Sequence, residues 1–339
     1  MEFRFTSRRP AGLERYVESI WHARGRIDYP SERIAPTGST VAVIVLGDPI
    51  RETPADGTGE PLVTATGFLI GPHDRPVVNE PLGETHCAGV VTTPVGCAAL
   101  FGIRPATVRG RVVDLGTAWP AAGPLRRRLL DLAAATVSGN DAGTTTAMAT
   151  DPRHDSTAAA TPRHRTPTAT DPATDPGYDA ATATAPRHDA ATPGSDAAAA
   201  AAMLDAVTAT LTAGLRETDV ERCERAVAAL EAAPARGIGA LAAELGVSHG
   251  HLDHEFTEIV GLSPRTLARI LRLRALLDRL DVYGPVPWSA LAAEFGWFDQ
   301  SHFIRDFKRH TGVTPSEYVA AQRGSFTPDQ AAPGFVPQR

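Results

Sequence analysis

Gln300, Ser301, His302 and Arg305, followed by Lys308 and Arg309, are packed into one short stretch near the C-terminus. Glutamine can bond adenine, and arginine can bond guanine, through paired hydrogen bonds in the DNA major groove. Lys308 and Arg309, further along, suit phosphate contacts, which position a protein on DNA without reading sequence. Some fifty residues earlier, Ser248, His249, His251 and His254 occupy a parallel stretch that contains no Arg or Lys but does contain Asp253, Glu255 and Glu258. There the three imidazoles must supply any positive charge. Their protonation near neutral pH would make binding pH-sensitive.

A duplicated element must position these side chains. Residues 240–246 read ALAAELG and residues 290–296 read ALAAEFG; LDHEFTEIVGLSP (252–264) then aligns with FIRDFKRHTGVTP (303–315). The extra residue of the second copy falls in the connection, VSHGH against WFDQSH. Each copy predicts a short helix with small residues (Ala242 and Ala243; Ala292 and Ala293), closed by Gly246 or Gly296, because glycine adopts a left-handed cap cheaply. An apolar turn residue follows, Val247 in one copy and Trp297 or Phe298 in the other. A second helix packs through positions four apart, Leu252 with Phe256 and Phe303 with Phe307. Its polar face is left to enter a major groove, as in a helix-turn-helix. Between the copies, PRTLARILRLRALLDRL (264–280) predicts a strut of about 25 Å at 1.5 Å per residue. Such a strut suits two readers about one DNA turn, roughly 34 Å, apart. Tandem readers in one chain predict an asymmetric site.

Residues 236–321 resemble the AraC/XylS-type DNA-binding domain, above all through ALAAEFGWFDQSHFIRDFKRHTGVTPSEY (290–318) and through GLSPRTLARILRLRAL (261–276). The resemblance implies a seven-helix domain contacting two successive major grooves. It also marks a departure, since His254 stands where arginine is usual and where Arg305 stands in the second copy. LERYVESIWHARG, PTGSTVAVIVLGDP and GPHDRPVVNEPLGE resemble the β-rich, sensor-like N-terminal domain of one AraC-type subgroup. The long linker departs from that pattern and resembles an insertion.

The expected fold class is α+β and multidomain. Residues 1–137 are a β-rich, cupin-like regulatory domain, with apolar runs at 41–47, 66–72 and 86–94 bounded by Gly and Pro. Helices are expected at LERYVESIW (13–21) and LRRRLLDLAAATV (125–137). Residues 138–197, rich in Thr, Ala, Asp and Pro, lack the apolar residues to offset ordering entropy and predict a disordered linker. Residues 198–235 are a helical connector, 236–323 the all-α domain with two helix-turn-helix units, and 324–339 a disordered tail.

The net charge of −6 argues against a generally nucleic-acid-binding surface. Within 236–323, ten Arg/Lys balance ten Asp/Glu, so phosphate attraction is expected to be modest. No signal peptide or long apolar run is evident, and a cytoplasmic location without membrane association is expected. Cys87, Cys97 and Cys223 form no disulfide framework or CxxC knuckle. Cys87 and Cys97 also lack the Pro-Cys-His setting of an alkyl-transfer site. His22, His73 and His86 lack HxH spacing and read as satisfied or surface histidines rather than metal ligands. No catalytic residue, metal or cofactor is therefore expected. Double-stranded DNA is the expected partner, with a small-molecule effector or homodimerisation assigned to the N-terminal domain. The alternatives are an enzymatic N-terminal domain and a partner-binding protein with a degenerate DNA reader.

Overall fold

The computed structural model describes residues 3–54, 59–141, 194–330 and 332–339. Its N-terminal part is two antiparallel sheets. One contains β1 (Arg4–Arg8), β2 (Val17–Gly25), β9 (Thr85–Thr92), β4 (Val41–Val45), β7 (Gly67–Ile70) and β10 (Val112–Asp114), in that order across the sheet. The other runs β11 (Phe335–Gln338), β3 (Ser31–Ile34), β8 (Val77–Pro81), β5 (Ile50–Thr53) and β6 (Leu62–Thr64).

The central strands β4, β7 and β9 are buried on both faces, which is why they read as largely apolar runs. Val41, Val43, Val45, Phe68, Ile70 and Cys87 face the other sheet. Ala42, Ile44, Leu69, Ala88 and Val90 face the helices. Those helices include α1 (Gly96–Phe101), α4 (Ala122–Asp141) and α5 (Gly194–Gly214), with the short α2 (Pro105–Val108) and α3 (Leu115–Ala118) between them. Gly89 sits opposite Trp21 in the sheet, and any Cβ there would lie 2.1 Å from the indole.

The remaining helices are α6 (Glu221–Ala232), α7 (Ile238–Glu244), α8 (His249–Val260), α9 (Pro264–Asp278), α10 (Trp288–Glu294), α11 (Gln300–Thr311) and α12 (Pro315–Ser325). One continuous core runs from Leu13 and Ile20 through Met203, Leu211 and Val227 to Leu252, Phe256 and Leu271. The first helix-turn-helix unit is therefore fused to the β-domain. The second packs around Trp297, Phe303, Phe307 and Tyr318, against the far half of α9.

Several expectations are corrected. LERYVESIW is not a helix. Hydrogen bonds from Tyr16 N and Val17 N to Leu13 O make one helical turn, and Val17 then begins strand β2. The three- and four-residue spacing belonged to that turn, and β2, hydrogen-bonded on both sides, claims the rest. The linker, 138–197, is helical at both described ends, since α4 reaches Asp141 and α5 starts at Gly194; most of it lies outside the described residues.

The tail at 324–339 is not uniformly irregular. Ser325 closes α12, a 3-10 turn covers Pro328–Gln330, and β11 pairs with β3, setting Phe335 opposite Ile34. Phe335 and Val336 are buried, and Pro337 is tolerated because β11 is an edge strand. Gln322 Nε2 donates to the carbonyls of Ala332 (2.9 Å) and Phe335 (2.6 Å), tying α12 to this strand. Asp196–Gly214, within α5, is long and apolar enough to cross a membrane by length and composition, contrary to the reading of the sequence. In the fold its Met203, Leu204, Val207 and Leu211 are buried in the common core.

Candidate nucleic-acid interface

The two copies of the repeat fold alike because their local signals are alike. Ser248 caps α8 by accepting from His251 N–H (3.2 Å), and Asp299 caps α11 by accepting from His302 N–H (2.7 Å). An oxygen side chain at this position satisfies an otherwise orphaned amide. Gly246 and Gly296 close the preceding helices at φ +72° and +80°, and Gly261 and Gly312 close the recognition helices at +81° and +78°. Ser263 and Thr314 then cap α9 and α12, each followed by proline. Val247 N and Trp297 N make equivalent bonds to Ala242 O and Ala292 O. Trp297 is therefore the inward turn residue. Phe298 is the inserted one, 93% exposed at the mouth of α11.

Most of the predicted reading residues are exposed. On α11 these are Gln300, Ser301, Arg305, Lys308 and Arg309; around α8 they are Ser248, His249, His251 and His254. The structure nevertheless engages several of them. His302 is half-buried with Nε2 3.3 Å from Asp306 Oδ2, the oxygen that also accepts from Trp297 Nε1 (3.2 Å). Arg305 Nε donates to Ser301 O (3.3 Å). Ser248 is spent partly as a cap. His251 Nε2 lies 3.1 Å from Arg222 on α6, so it faces the connector as well as solvent.

Arg309 is clamped rather than free. Its Nε and a terminal nitrogen donate to Asp74 Oδ2 at 3.0 and 2.5 Å, and the neighbouring His310 donates from Nδ1 to Asp74 O (2.7 Å). Burial raises the Asp74 carboxyl, but the guanidinium outweighs it and holds the group below its ordinary value. Burial lowers His310 below the ordinary histidine value. At the other unit, Gly261 abuts Pro72 and Pro105, where a Cβ would come within 3.0 Å. Both recognition helices thus touch the β-domain near their C-terminal ends.

The acidic residues of α8 have partners within the chain. Glu255 pairs with Arg222 (2.7 Å), and Glu258 lies 4.0 Å from Arg104 beside α2. Much of the negative charge read from the sequence therefore serves packing. Sequence reasoning also missed four cations. Arg236, Arg265, Arg269 and Arg272 line a cleft of about 550 Å³ together with His249 and His302, between the two recognition helices. The three on α9 recur at four and three residues, a stripe visible in PRTLARILRLR beside the apolar one. Arg272 stacks over Trp297, and Arg236 pairs with Glu244; Arg265 is exposed.

His22 and His86 come together, with their Nε2 atoms 3.1 Å apart, while His73 lies elsewhere, on the cavity between the sheets. No group of three metal-ligating side chains occurs among the described residues. Cys87, Cys97 and Cys223 are buried free thiols, and burial raises their pKa to about 12, 11 and 12.

Residues 241–321 match the family model described as a helix-turn-helix domain, and residues 9–114 match a domain of unknown function, DUF6597. No curated protein matches the chain. Solved structures similar to it include ToxT from Vibrio cholerae, at 10% identity over 94% of this chain and 98% of that one, TM-score 0.41. An unsaturated-fatty-acid-bound ToxT from strain SCE256 shares 12% identity over 94% of each chain, TM-score 0.41. The AraC-like transcriptional activator CuxR shares 14% over 82% of this chain and 87% of that one, TM-score 0.22. Likenesses at these scores decide nothing about ligand or mechanism. The capped tandem units and the matching domain model together identify residues 241–321 as a helix-turn-helix domain of the AraC type, behind a β-rich N-terminal region that matches DUF6597.

Proposed function

We propose that the chain reads an asymmetric DNA site through α8 and α11 and that its N-terminal domain controls this reading. The observation that carries the proposal is the arginine-lined cleft between two exposed recognition helices, the second of which is held to the β-domain through Asp74. In this reading Gln300, Ser301, His302 and Arg305 face bases, and Lys308 and the α9 arginines face phosphates. Ser248, His249, His251 and His254 supply the weaker half-site. Arg309 joins the phosphate contacts when Asp74 lets it go. Control requires no signal through the 138–197 segment, because the two domains touch directly.

The test is selection of bound sequences from a random duplex pool. The full chain is the proper reagent, because α5 and α6 share their core with the β-domain. Two half-sites about one helical turn apart are expected. Arg305→Ala should relax selection at one position of the stronger half-site and cost about 1–3 kcal/mol there. Absence of any enriched sequence at physiological salt refutes the proposal.

A further inference from the structure

The space between the two sheets is a cavity of about 80 Å³. By the volume one water-sized group needs, it holds roughly five to eight non-hydrogen atoms. Its walls are mainly apolar and aromatic, with Trp21, Phe68 and Phe335 among them. Glu32, Asn79 and Glu52 also line it, on the adjacent strands β3, β8 and β5, where the register sets Asn79 opposite both carboxylates.

The hydrogen bonds on this wall are one-sided. Glu32 accepts from Tyr29 OH (2.7 Å) and from Asn79 Nδ2 (3.1 Å). The second bond fixes the amide with Oδ1 turned away, and that oxygen has no partner. Glu52 is 1% exposed, and its Oε2 has no partner. His73 gives its Nδ1 proton to Gly71 O (2.8 Å), so its Nε2 is a bare acceptor, also buried without a partner. Thr85 Oγ1 is a third unpartnered oxygen; Trp21 Nε1 is the one unpartnered N–H donor on the wall among the described residues. Buried polar atoms left unpaired are costly, and a cavity that gathers several of one kind is built for the complementary kind.

We propose that this cavity binds a small organic ammonium cation, a primary amine on a short apolar body, with its N–H donors on Glu52, Asn79 and His73 and its carbons against the aromatic wall. Three donors and one positive charge match this acceptor set, and the aromatic rings favour a cation further. A carboxylate ligand would face this row of acceptors and the carboxyls of Glu32 and Glu52 with no cation on the wall, and only Trp21 Nε1 and Thr85 Oγ1 as unpartnered donors. Burial raises Glu52 well above its ordinary value in the empty cavity, and burial likewise raises Glu32 and lowers His73. Cys87, the other titratable wall group, is held up at about 12 by burial and remains a thiol, and Tyr29 is raised as well. A bound ammonium ion reverses that shift, since it favours the Glu52 carboxylate, and the proton so released goes to solvent while the ion pair remains. His73 adjoins Asp74, so the occupied wall is contiguous with the clamp on Arg309. That occupancy alters DNA reading rests on the function proposed above; the binding itself does not.

The test is calorimetric titration of the full chain with n-butylammonium, n-butanol and butyrate, which share an apolar body and differ in the head group. Saturable binding of the amine is expected, at least tenfold weaker binding of butanol, and none of butyrate. Glu52→Gln should bring the amine down to the affinity of butanol. Should that variant fail to fold, the wild-type protein still decides. Amine binding should release protons, so its apparent enthalpy should differ between two buffers of different ionisation enthalpy at one pH. Butanol or butyrate binding as tightly as the amine overturns the proposal. So does unchanged amine affinity in Glu52→Gln, an enthalpy independent of buffer, or no amine binding at tens of millimolar. None of these results uses DNA, so they leave the DNA-reading proposal to its own test.

Discussion

Replacing Asp74 by asparagine should strengthen DNA binding. The Asp74–Arg309 pair is part-exposed, with side-chain exposures of 22% and 41%, so a charge-assisted bond there contributes about 1 kcal/mol after solvent screening. The substitution keeps the backbone carbonyl that accepts from His310 and leaves the Gly261 contact with Pro72 and Pro105 in place. The domain contact is thus weakened rather than abolished. Two consequences add. About 1 kcal/mol less docking energy raises the population of any undocked, DNA-competent arrangement about fivefold. A freed Arg309 also gains a phosphate partner, which should steepen the salt dependence of log K by about 0.9. The assay is fluorescence anisotropy with the selected duplex between about 50 and 200 mM salt, a range over which each phosphate contact is resolvable. Affinity is expected to rise roughly threefold to tenfold at the lower salt. In an Arg309→Ala background the Asp74 change should do nothing, which makes the pair a double-mutant cycle. Unchanged affinity and slope in Asp74→Asn, or weaker binding, would refute the claim that this contact restrains α11.

Two further outcomes concern the fold that holds the site. Removing residues 327–339 should lower stability by about 3–6 kcal/mol, because Phe335 and Val336 are each worth roughly 1.5–3 kcal/mol of burial; an unchanged denaturation midpoint would return the tail to an irregular segment. Stability should also fall with acid between about pH 6.5 and 4. Burial first, then His86 and Arg24, lowers His22 to about 4, and burial and then Arg24 lowers His86 to about 4. Below the unfolded pKa of 6.5 the unfolded chain takes up protons that the native chain refuses. The native state therefore loses stability through that window, by a few kcal/mol for the contacting pair together at about 1.4 kcal/mol per unit. His86→Gln should flatten urea-denaturation midpoints across that window, and an equally steep loss would locate the acid sensitivity elsewhere.

Much of the DNA-binding half was legible in the chain because its determinants are local. Ser248 and Asp299 lie beside the amides they cap, Gly246 and Gly296 close the turns in which they stand, and Leu252–Phe256 and Phe303–Phe307 recur at helical spacing. The apolar runs at 41–47, 66–72 and 86–94 likewise marked β4, β7 and β9. Where two periodicities competed over a few residues, as at Leu13–Trp21, the partner strands β1 and β9 decided, and they lie elsewhere in the chain. Tertiary structure alone decided the rest. Strand β11 finds β3 some three hundred residues away, Arg309 finds Asp74 235 residues before it, and the acceptors on Glu52, Asn79 and His73 meet only through sheet register. A cap or a turn depends on neighbours within four residues, and sequence displays those directly. A cavity depends on which strands pair and which faces turn inward, and that follows from the packing of the whole molecule.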